Sequence, residues 1–209
     1  RTRSQPHHLV FAEDTNNTLW RSQGGPGSGV VGWLDRKVFE ETGDEAKAQG
    51  WTPIVIDTNG NGKRDAWVEP NQPVDPTKDK RIVGALYGIG INPQDGTIWG
   101  TVLTFPGYII RVDTGSNPSE TALAEIYEPP MPGYGPRGFD IDRNGIAWVP
   151  LSSGHMGKFD RSKCKVLNGP TATGQHCAQG WTLYQSPGPQ MKGVTEPGSA
   201  DYHYYNWVD

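Results

Sequence analysis

A short polar segment of the chain carries its clearest chemical signal. It reads DTNGNGKRD from Asp57 to Asp65, with side-chain oxygens at positions 1, 3, 5 and 9 and glycine at position 6. Calcium takes about six to eight oxygen ligands, and a loop that wraps around an ion presents alternate residues to it. The spacing predicts a calcium site formed by these side chains and one main-chain carbonyl: Asp57, Asn59, Asn61, Asp65 and the carbonyl of Lys63.

The segment matches the EF-hand loop over its first nine positions and then departs from it. Position 12 is Val68, and Glu69 falls one residue late. The flanking segments 53–56 and 66–68 have the composition of strands, so the loop resembles the calcium loops in strand hairpins of integrin-type propellers. A structural ion that fixes a hairpin is therefore expected, and an Asn-Gly turn without an ion is the alternative.

The side chains that could act in catalysis are scattered. The sequence has no Gly-x-Ser-x-Gly elbow, phosphate-binding loop, dinucleotide-binding glycine motif or HExxH. The candidates are His155, just after a predicted strand, together with His203 and Arg137. A lone loop histidine is also commonly a solvated residue, so both interpretations remain open. The tail adds aromatic residues that could form either a binding wall or part of a core: Tyr202, Tyr204, Tyr205 and Trp207.

The composition indicates short strands and turns. The 209 residues include 28 glycines, 18 prolines and 8 tryptophans, with 34% hydrophobic content and a mean hydropathy of -0.64. Many turn formers and large aromatics favour strands over helices. The formal charge of -4 gives no reason to expect nucleic acid or an anionic membrane as a partner. No apolar run reaches the about 18 residues that a membrane-spanning helix needs.

A small sheet motif recurs and is expected to position these residues. In each copy a polar turn precedes a tryptophan, and an aspartate follows 12 to 15 residues later. The pairs are Trp20 with Asp35, Trp99 with Asp113, and Trp148 with Asp160. An outer strand is predicted after each pair, at 51–56, 122–127 and 181–184. Trp99 and Trp148 lie 49 residues apart, near the period of roughly 40–50 residues that propeller blades show.

These repeats predict an all-β fold, a β-propeller of four-stranded blades. The chain is expected to form one partial propeller domain over 1–209, with blade-like repeats at 7–69, 82–128, 136–185 and 193–209. Because propellers have about four to eight blades, three to four blades predict further chain before Arg1, after Asp209, or both. A β-sandwich or an open meander is the alternative. Two insertions are predicted as a short helix at 36–49 and a surface loop at 70–80.

The two cysteines, Cys164 and Cys177, predict a disulfide that clamps a surface loop. Such a bridge indicates the periplasm or the exterior and would stabilise the fold by roughly 3 kcal/mol. Two free thiols in a reducing compartment are the alternative. With only His176 nearby and no CxxC pair, the pattern does not match a zinc site.

The unit that ends at Asp160 resembles a blade of the virginiamycin B lyase (streptogramin lyase) family. The resemblance rests on GPRGF at 135–139, on residues 142–145, and on Trp148 and KFD at 158–160. It covers roughly residues 82–209 and, less clearly, residues 7–69. The family implies a seven-bladed propeller, Mg²⁺ and a histidine base that opens a cyclic depsipeptide by elimination. Arg137 stands where such blades often have histidine, and arginine cannot act as a base at neutral pH. The chain also resembles the propeller part of secreted bacterial carboxypeptidase regulatory-like domain-containing proteins.

Two functions follow from these observations. The one we favour is a secreted, calcium-stabilised binding or scaffolding module whose partners are the rest of the propeller or parent polypeptide and an unknown small molecule or protein. The other is a lyase-type enzyme with His155 or His203 as base, Arg137 on an anionic or carbonyl group, and Mg²⁺. Both predict a periplasmic or secreted bacterial protein. A metal beside His155 would favour the enzyme, and a channel of apolar and backbone groups would favour the binder.

Overall fold

The structure is a computed structural model that describes residues 6–23, 29–187, 193 and 204–208. The predicted residues Tyr202 and His203 lie outside the described residues. The first sheet is an antiparallel meander in the order β1-β2-β3-β4. Its strands are β1 Pro6–Phe11, β2 Leu19–Gln23, β3 Val30–Leu34 and β4 Gln49–Pro53.

The second and third meanders repeat this plan. Three short strands follow the first sheet in the chain: β5 Val55–Ile56, β6 Trp67–Val68 and β7 Asp79–Arg81. The second meander consists of β8 Leu86–Ile91, β9 Ile98–Val102, β10 Tyr108–Asp113 and β11 Leu123–Tyr127. The third consists of β12 Asp140–Ile141, β13 Ala147–Leu151, β14 His155–Phe159 and β15 Trp181–Gln185. The described part of the chain is therefore all-β apart from short helices, as predicted.

The turn before each tryptophan is organised by a side chain that accepts backbone N–H groups. Asp14 Oδ1 accepts the N–H groups of Asn16 (3.1 Å) and Thr18 (2.9 Å). Asp142 Oδ1 accepts the N–H groups of residues 144 (2.9 Å) and 146 (3.1 Å) in the same i+2 and i+4 pattern. Gly145 then takes a φ of 74°, a conformation that costs glycine little. Aspartate side chains that accept backbone N–H groups in this way close tight turns without distant contacts. The recurring turn therefore depends only on residues within the turn itself.

Two apolar clusters join the three sheets face to face. The first cluster packs the first sheet against the second, and its members include Trp20, Val31, Ile54, Leu86, Ile98, Ile110 and Val112. The second cluster packs the second sheet against the third, and its members include Trp99, Ile109, Tyr127, Phe139, Val149, Phe159 and Trp181. The second sheet is thus covered on both faces, which explains why every residue of β9 is buried.

The three repeated tryptophans occupy matching positions, because each is the second residue of the second strand of its sheet. Trp20 points to the second sheet, and Trp99 points to the third. Trp148 alternates with Ala147 and Val149, which belong to the second cluster, so its ring lies on the outer face of the third sheet. There it stacks on Tyr184 at 6.3 Å. The direction of the indole therefore repeats from sheet to sheet.

The strands that flank the 57–65 loop do not form the predicted hairpin. β7 lies between β5 and β6, antiparallel to β5 and parallel to β6. β5 also pairs in parallel with β11 at Ala124 and Ile56, so the three strands extend the second sheet to seven. The prediction of a hairpin was wrong because a later segment supplies the pairing partner. The predicted 70–80 surface loop ends in that partner, β7, which begins at Asp79.

The predicted helical insertion forms two short helices, α1 Arg36–Thr42 and α2 Glu45–Ala48. Gly43 ends α1 in the left-handed conformation at φ 65°, and Asp44 caps α2 by accepting two backbone N–H groups. A third short helix, α3, spans Pro118–Thr121, and 3₁₀ turns span Arg161–Lys163 and Ala178–Gly180. Within the described ranges, no helix has both the length and the apolar character needed to cross a membrane.

Candidate functional site

The first half of the 57–65 loop is organised by its buried first aspartate. Asp57, which is 4% exposed, accepts the Gly60 N–H at 2.6 Å through Oδ1 and the Gly62 N–H at 2.8 Å through Oδ2. Gly60 and Gly62 have φ values of 78° and 72°. A side chain at either position would be strained, so both glycines are needed for the tight wrap that the spacing predicted.

The second half of the loop converges on Asp65. The side-chain amides of Asn59 and Asn61 both donate to Asp65 Oδ2, at 3.0 and 2.6 Å. These hydrogen bonds lower the pKa of Asp65. Asn59, Asn61 and Asp65, three of the predicted ligands, therefore lie together. The amide hydrogens of the two asparagines contact the Asp65 carboxylate, which is the group that would attract a cation. The role of the Lys63 carbonyl as a ligand stays a prediction.

One further carboxylate lies beside the loop, and sequence reasoning missed it. Asp79, the first residue of β7, is fully buried, and its Oδ2 accepts the Asp65 N–H at 2.7 Å. Burial raises the pKa of Asp79, and the negative charges of Asp57 and Asp65 raise it further. Among the described residues, no three His, Cys, Asp or Glu side chains are arranged tightly enough to hold a metal ion. Asp57, Asp65 and Asp79 are therefore neighbours, but their carboxylates are too far apart to coordinate one ion in this arrangement.

The predicted disulfide is confirmed, and it closes a loop that packs on the candidate metal site. Cys164 and Cys177 are bonded. Within the closed loop, Asn168 donates its side-chain amide to Asp57 Oδ2 at 3.0 Å, and the Gly169 N–H donates to the Asp57 carbonyl at 2.8 Å. The sequence holds no signal for this contact, because residues 57 and 168 are far apart in the chain.

The described catalytic candidates have separate side-chain contacts. His155 is buried at the start of β14, and its Nδ1 lies 3.1 Å from Ser153 Oγ. The Arg137 guanidinium lies 5.2 Å above the Tyr204 ring. No hydrogen bond, ion pair or ring contact joins His155 to Arg137 in the described part of the chain.

A groove runs along the first strands of the three sheets. β1, β8 and β12 lie side by side, and together with residues 205–207 they line a cavity of about 880 Å³. Its walls include an aromatic and an acidic set: Phe11, Phe139, Trp207, Glu13, Asp14 and Asp140. Within the described residues, no lysine or arginine lines the groove, and neither does His155. Trp207 is 86% exposed, so this part of the tail forms an open wall rather than a core.

A cluster of histidine and tyrosine side chains includes two residues of the groove wall, His8 and Tyr205. His8 Nδ1 lies 2.6 Å from the Tyr87 carbonyl, and its Nε2 lies 3.0 Å from Tyr205 Oη. Tyr87 and Tyr205 stack with ring centroids 5.9 Å apart, and Tyr87 Oη donates to Tyr204 Oη at 3.2 Å. These contacts join β1, β8 and residues 204–205, so the described segment 204–208 has a defined position beside the groove.

The comparisons with known proteins give few matches. No family model matches the chain, and no curated protein matches it. Among solved structures, the chain is similar to one titled as a streptogramin B lyase structure, with 15% sequence identity and a TM-score of 0.46. The alignment covers 86% of this chain and 40% of that lyase. The chain therefore spans well under half the length of the protein it matches.

Proposed function

We propose that the protein is a calcium-stabilised binding module that forms part of a secreted or periplasmic β-propeller. Three four-stranded meanders stack face to face, their first strands lie together, and each repeated indole points in the same direction. Consecutive propeller blades have this arrangement. The Cys164–Cys177 disulfide fits an oxidising compartment. The remaining blades of the ring would come from the rest of the same polypeptide.

The lining of the groove is the observation that supports binding over catalysis. Its described walls carry aromatic and aliphatic side chains, three carboxylates and the imidazole of His8, with no lysine or arginine. Neither His155 nor Arg137 belongs to them. Charge complementarity then favours a ligand that combines an apolar body with positive charge. The exposed rings of Phe11 and Trp207 would supply the apolar contact, since burying one large side chain is worth about 1.5–3 kcal/mol.

Calcium has a structural role in this proposal. Asp57, Asn59, Asn61 and Asp65 would supply side-chain oxygens, and Lys63 would supply its carbonyl. Carboxylate, amide and carbonyl oxygens are the donors that calcium prefers. The ion would hold together β5, β6 and β7 at the outer edge of the second sheet, where each strand has only two or three residues. Calcium should therefore raise the melting temperature and EGTA should lower it, whereas a melt insensitive to both would contradict the calcium role.

Calorimetry with two matched peptides tests the binding role. A short peptide of alternating leucine and lysine should bind, and its counterpart with glutamate in place of lysine should not. Trp207→Ala should weaken binding roughly tenfold or more, because one large apolar contact is lost. Phe105→Ala is the matched control, since Phe105 is 78% exposed and lies outside the groove. Equal binding of both peptides, or no effect of Trp207→Ala, would contradict the proposed groove.

An activity assay separates this proposal from the enzymatic alternative. The protein should not open a cyclic depsipeptide in the presence of Mg²⁺. Turnover that disappears in His155→Ala would overturn the proposal in favour of a lyase.

A further inference from the structure

The 57–65 loop lacks a carboxylate at the place where an EF-hand supplies its last ligand. Position 12 is Val68, which is 8% exposed and apolar. Glu69, one residue later, is engaged elsewhere, because it accepts hydrogen bonds from Arg81 Nη1 (2.8 Å) and Trp67 Nε1 (3.2 Å). The loop itself therefore offers two carboxylates, Asp57 and Asp65. If calcium binds here, a further strong ligand has to come from outside the loop.

Asp79 has the position and the free atom to be that ligand. It is 0% exposed, and its Oδ2 accepts the N–H of Asp65, the last residue of the loop, at 2.7 Å. Its Oδ1 makes no hydrogen bond of normal geometry among the described residues, and the Thr58 backbone N–H, which lowers the pKa of the carboxyl, is a further donor near it. A buried carboxylate oxygen without a partner is costly and rare in folded proteins. The unused oxygen therefore indicates a missing partner at this position.

No side chain of the described residues forms an ion pair with Asp79. Arg64 is near enough to interact electrostatically with Asp79, but it forms no ion pair with it, because its guanidinium donates to Thr52 Oγ1 at 2.9 Å and lies 5.0 Å above the Trp67 ring. Lys78, the preceding residue, pairs with Asp75 at 3.5 Å. Asp57 and Asp65 add two more negative charges nearby. The missing partner is thus expected to be a cation that the protein itself does not supply.

We propose that Asp79 is the third carboxylate ligand of the calcium site. This proposal rests on the calcium binding proposed above and adds the residue that completes the ligand set. Three carboxylates, two amides and a carbonyl form a donor set of the number and hardness that calcium takes. An ion bound by both the loop and β7 would also connect β5 and β6 through the strand that lies between them. The loop and the edge of the second sheet would then become ordered together.

Calcium titration of Asp79→Asn by calorimetry tests this role. Asparagine keeps the size of the side chain and an acceptor for the Asp65 N–H, but it removes the charge. We expect calcium affinity to fall roughly 10–100-fold, the range measured when supporting groups of metal sites are removed. Asp75→Asn is the matched control, because Asp75 belongs to the same connection but its side chain accepts hydrogen bonds from Thr77 and pairs with Lys78. The control should keep wild-type affinity.

The outcomes separate this proposal from the calcium proposal itself. An unmodified protein that binds no calcium would refute the calcium site as a whole. An unmodified protein that binds calcium, with Asp79→Asn binding it equally well, would refute only the role of Asp79. In EGTA, Asp79→Asn should melt at a higher temperature than the unmodified protein, because a buried uncompensated charge has been removed. A residue with a purely structural role would give the opposite shift.

A crystal structure with calcium tests the same proposal without a variant. It should place the ion about 2.3–2.6 Å from an Asp79 oxygen, the usual calcium–oxygen distance. An ion coordinated by Asp57 and Asp65 but not by Asp79 would overturn the proposal even if Asp79→Asn failed to fold.

Discussion

Glu125 on β11 is the centre of a buried charge network that links the second and third sheets. Its side chain is 12% exposed and accepts two hydrogen bonds from Arg161, at 2.6 and 2.7 Å, and one from Arg111 at 3.1 Å. Tyr127 Oη donates to the same carboxylate. The paired charge raises the pKa of Arg161. Glu125→Gln keeps the volume but removes the charge that both arginines face.

The size of the stability loss depends on how well Arg161 and Arg111 remain compensated after Glu125 loses its charge. Removing one partner of a buried ion pair costs about 3–5 kcal/mol, because the other charge stays buried without compensation. Arg161 is 29% exposed, and Arg111 keeps Asp95 at 3.2 Å and Asp113 at 3.3 Å. Solvent and these neighbours screen part of the loss, so Glu125→Gln should lower the free energy of unfolding by about 3 kcal/mol.

Equilibrium unfolding in urea measures this loss. With an m-value of about 1–3 kcal/mol/M, the midpoint should move down by about 1–3 M. Glu40→Gln is the control, because the Arg36–Glu40 pair is exposed on α1 at 53% and 58% and should contribute only about 0–1 kcal/mol. If Glu125→Gln loses no more stability than the control, the network does not stabilise the contact between the sheets.

Two more predictions concern the loop closed by the disulfide. Replacing Cys164 and Cys177 by serine should lower the free energy of unfolding by roughly 3 kcal/mol and weaken calcium binding, because Asn168 contacts Asp57 from within that loop. Urea melts and calorimetry measure the two effects, and unchanged calcium affinity would show that the loops are independent. Burial lowers the pKa of His176 below the ordinary histidine value of about 6.5, so the unfolded chain binds a proton more readily. The stability that neutral His176 contributes is therefore present above pH 6.5 and lost as the pH falls towards the lower folded pKa. His176→Gln should reduce the fall in melting temperature between about pH 7 and 5, and an unchanged pH slope would contradict this cause.

The sequence by itself determined the features that depend on neighbouring residues. The Asx turns at Asp14 and Asp142 form from hydrogen bonds within a few residues, so their pattern could be recognised. The repeated turn and the alternation of residues that follows it are also local features. They place Trp20, Trp99 and Trp148 each at the second residue of the second strand of its sheet. The wrap of the 57–65 loop also depends on its own glycines and on the carboxylate of residue 57.

Only the tertiary structure decided which distant segments meet. β7 inserts between β5 and β6 and brings Asp79 to the loop, and no local pattern marks that aspartate as different from others. The disulfide loop brings Asn168 to Asp57, while His155 and Arg137 have separate partners. Strand pairing and loop docking depend on the shape and burial of the assembled sheets. A single sequence records which strands can form, but the packing of the whole chain selects their neighbours and therefore the composition of the site.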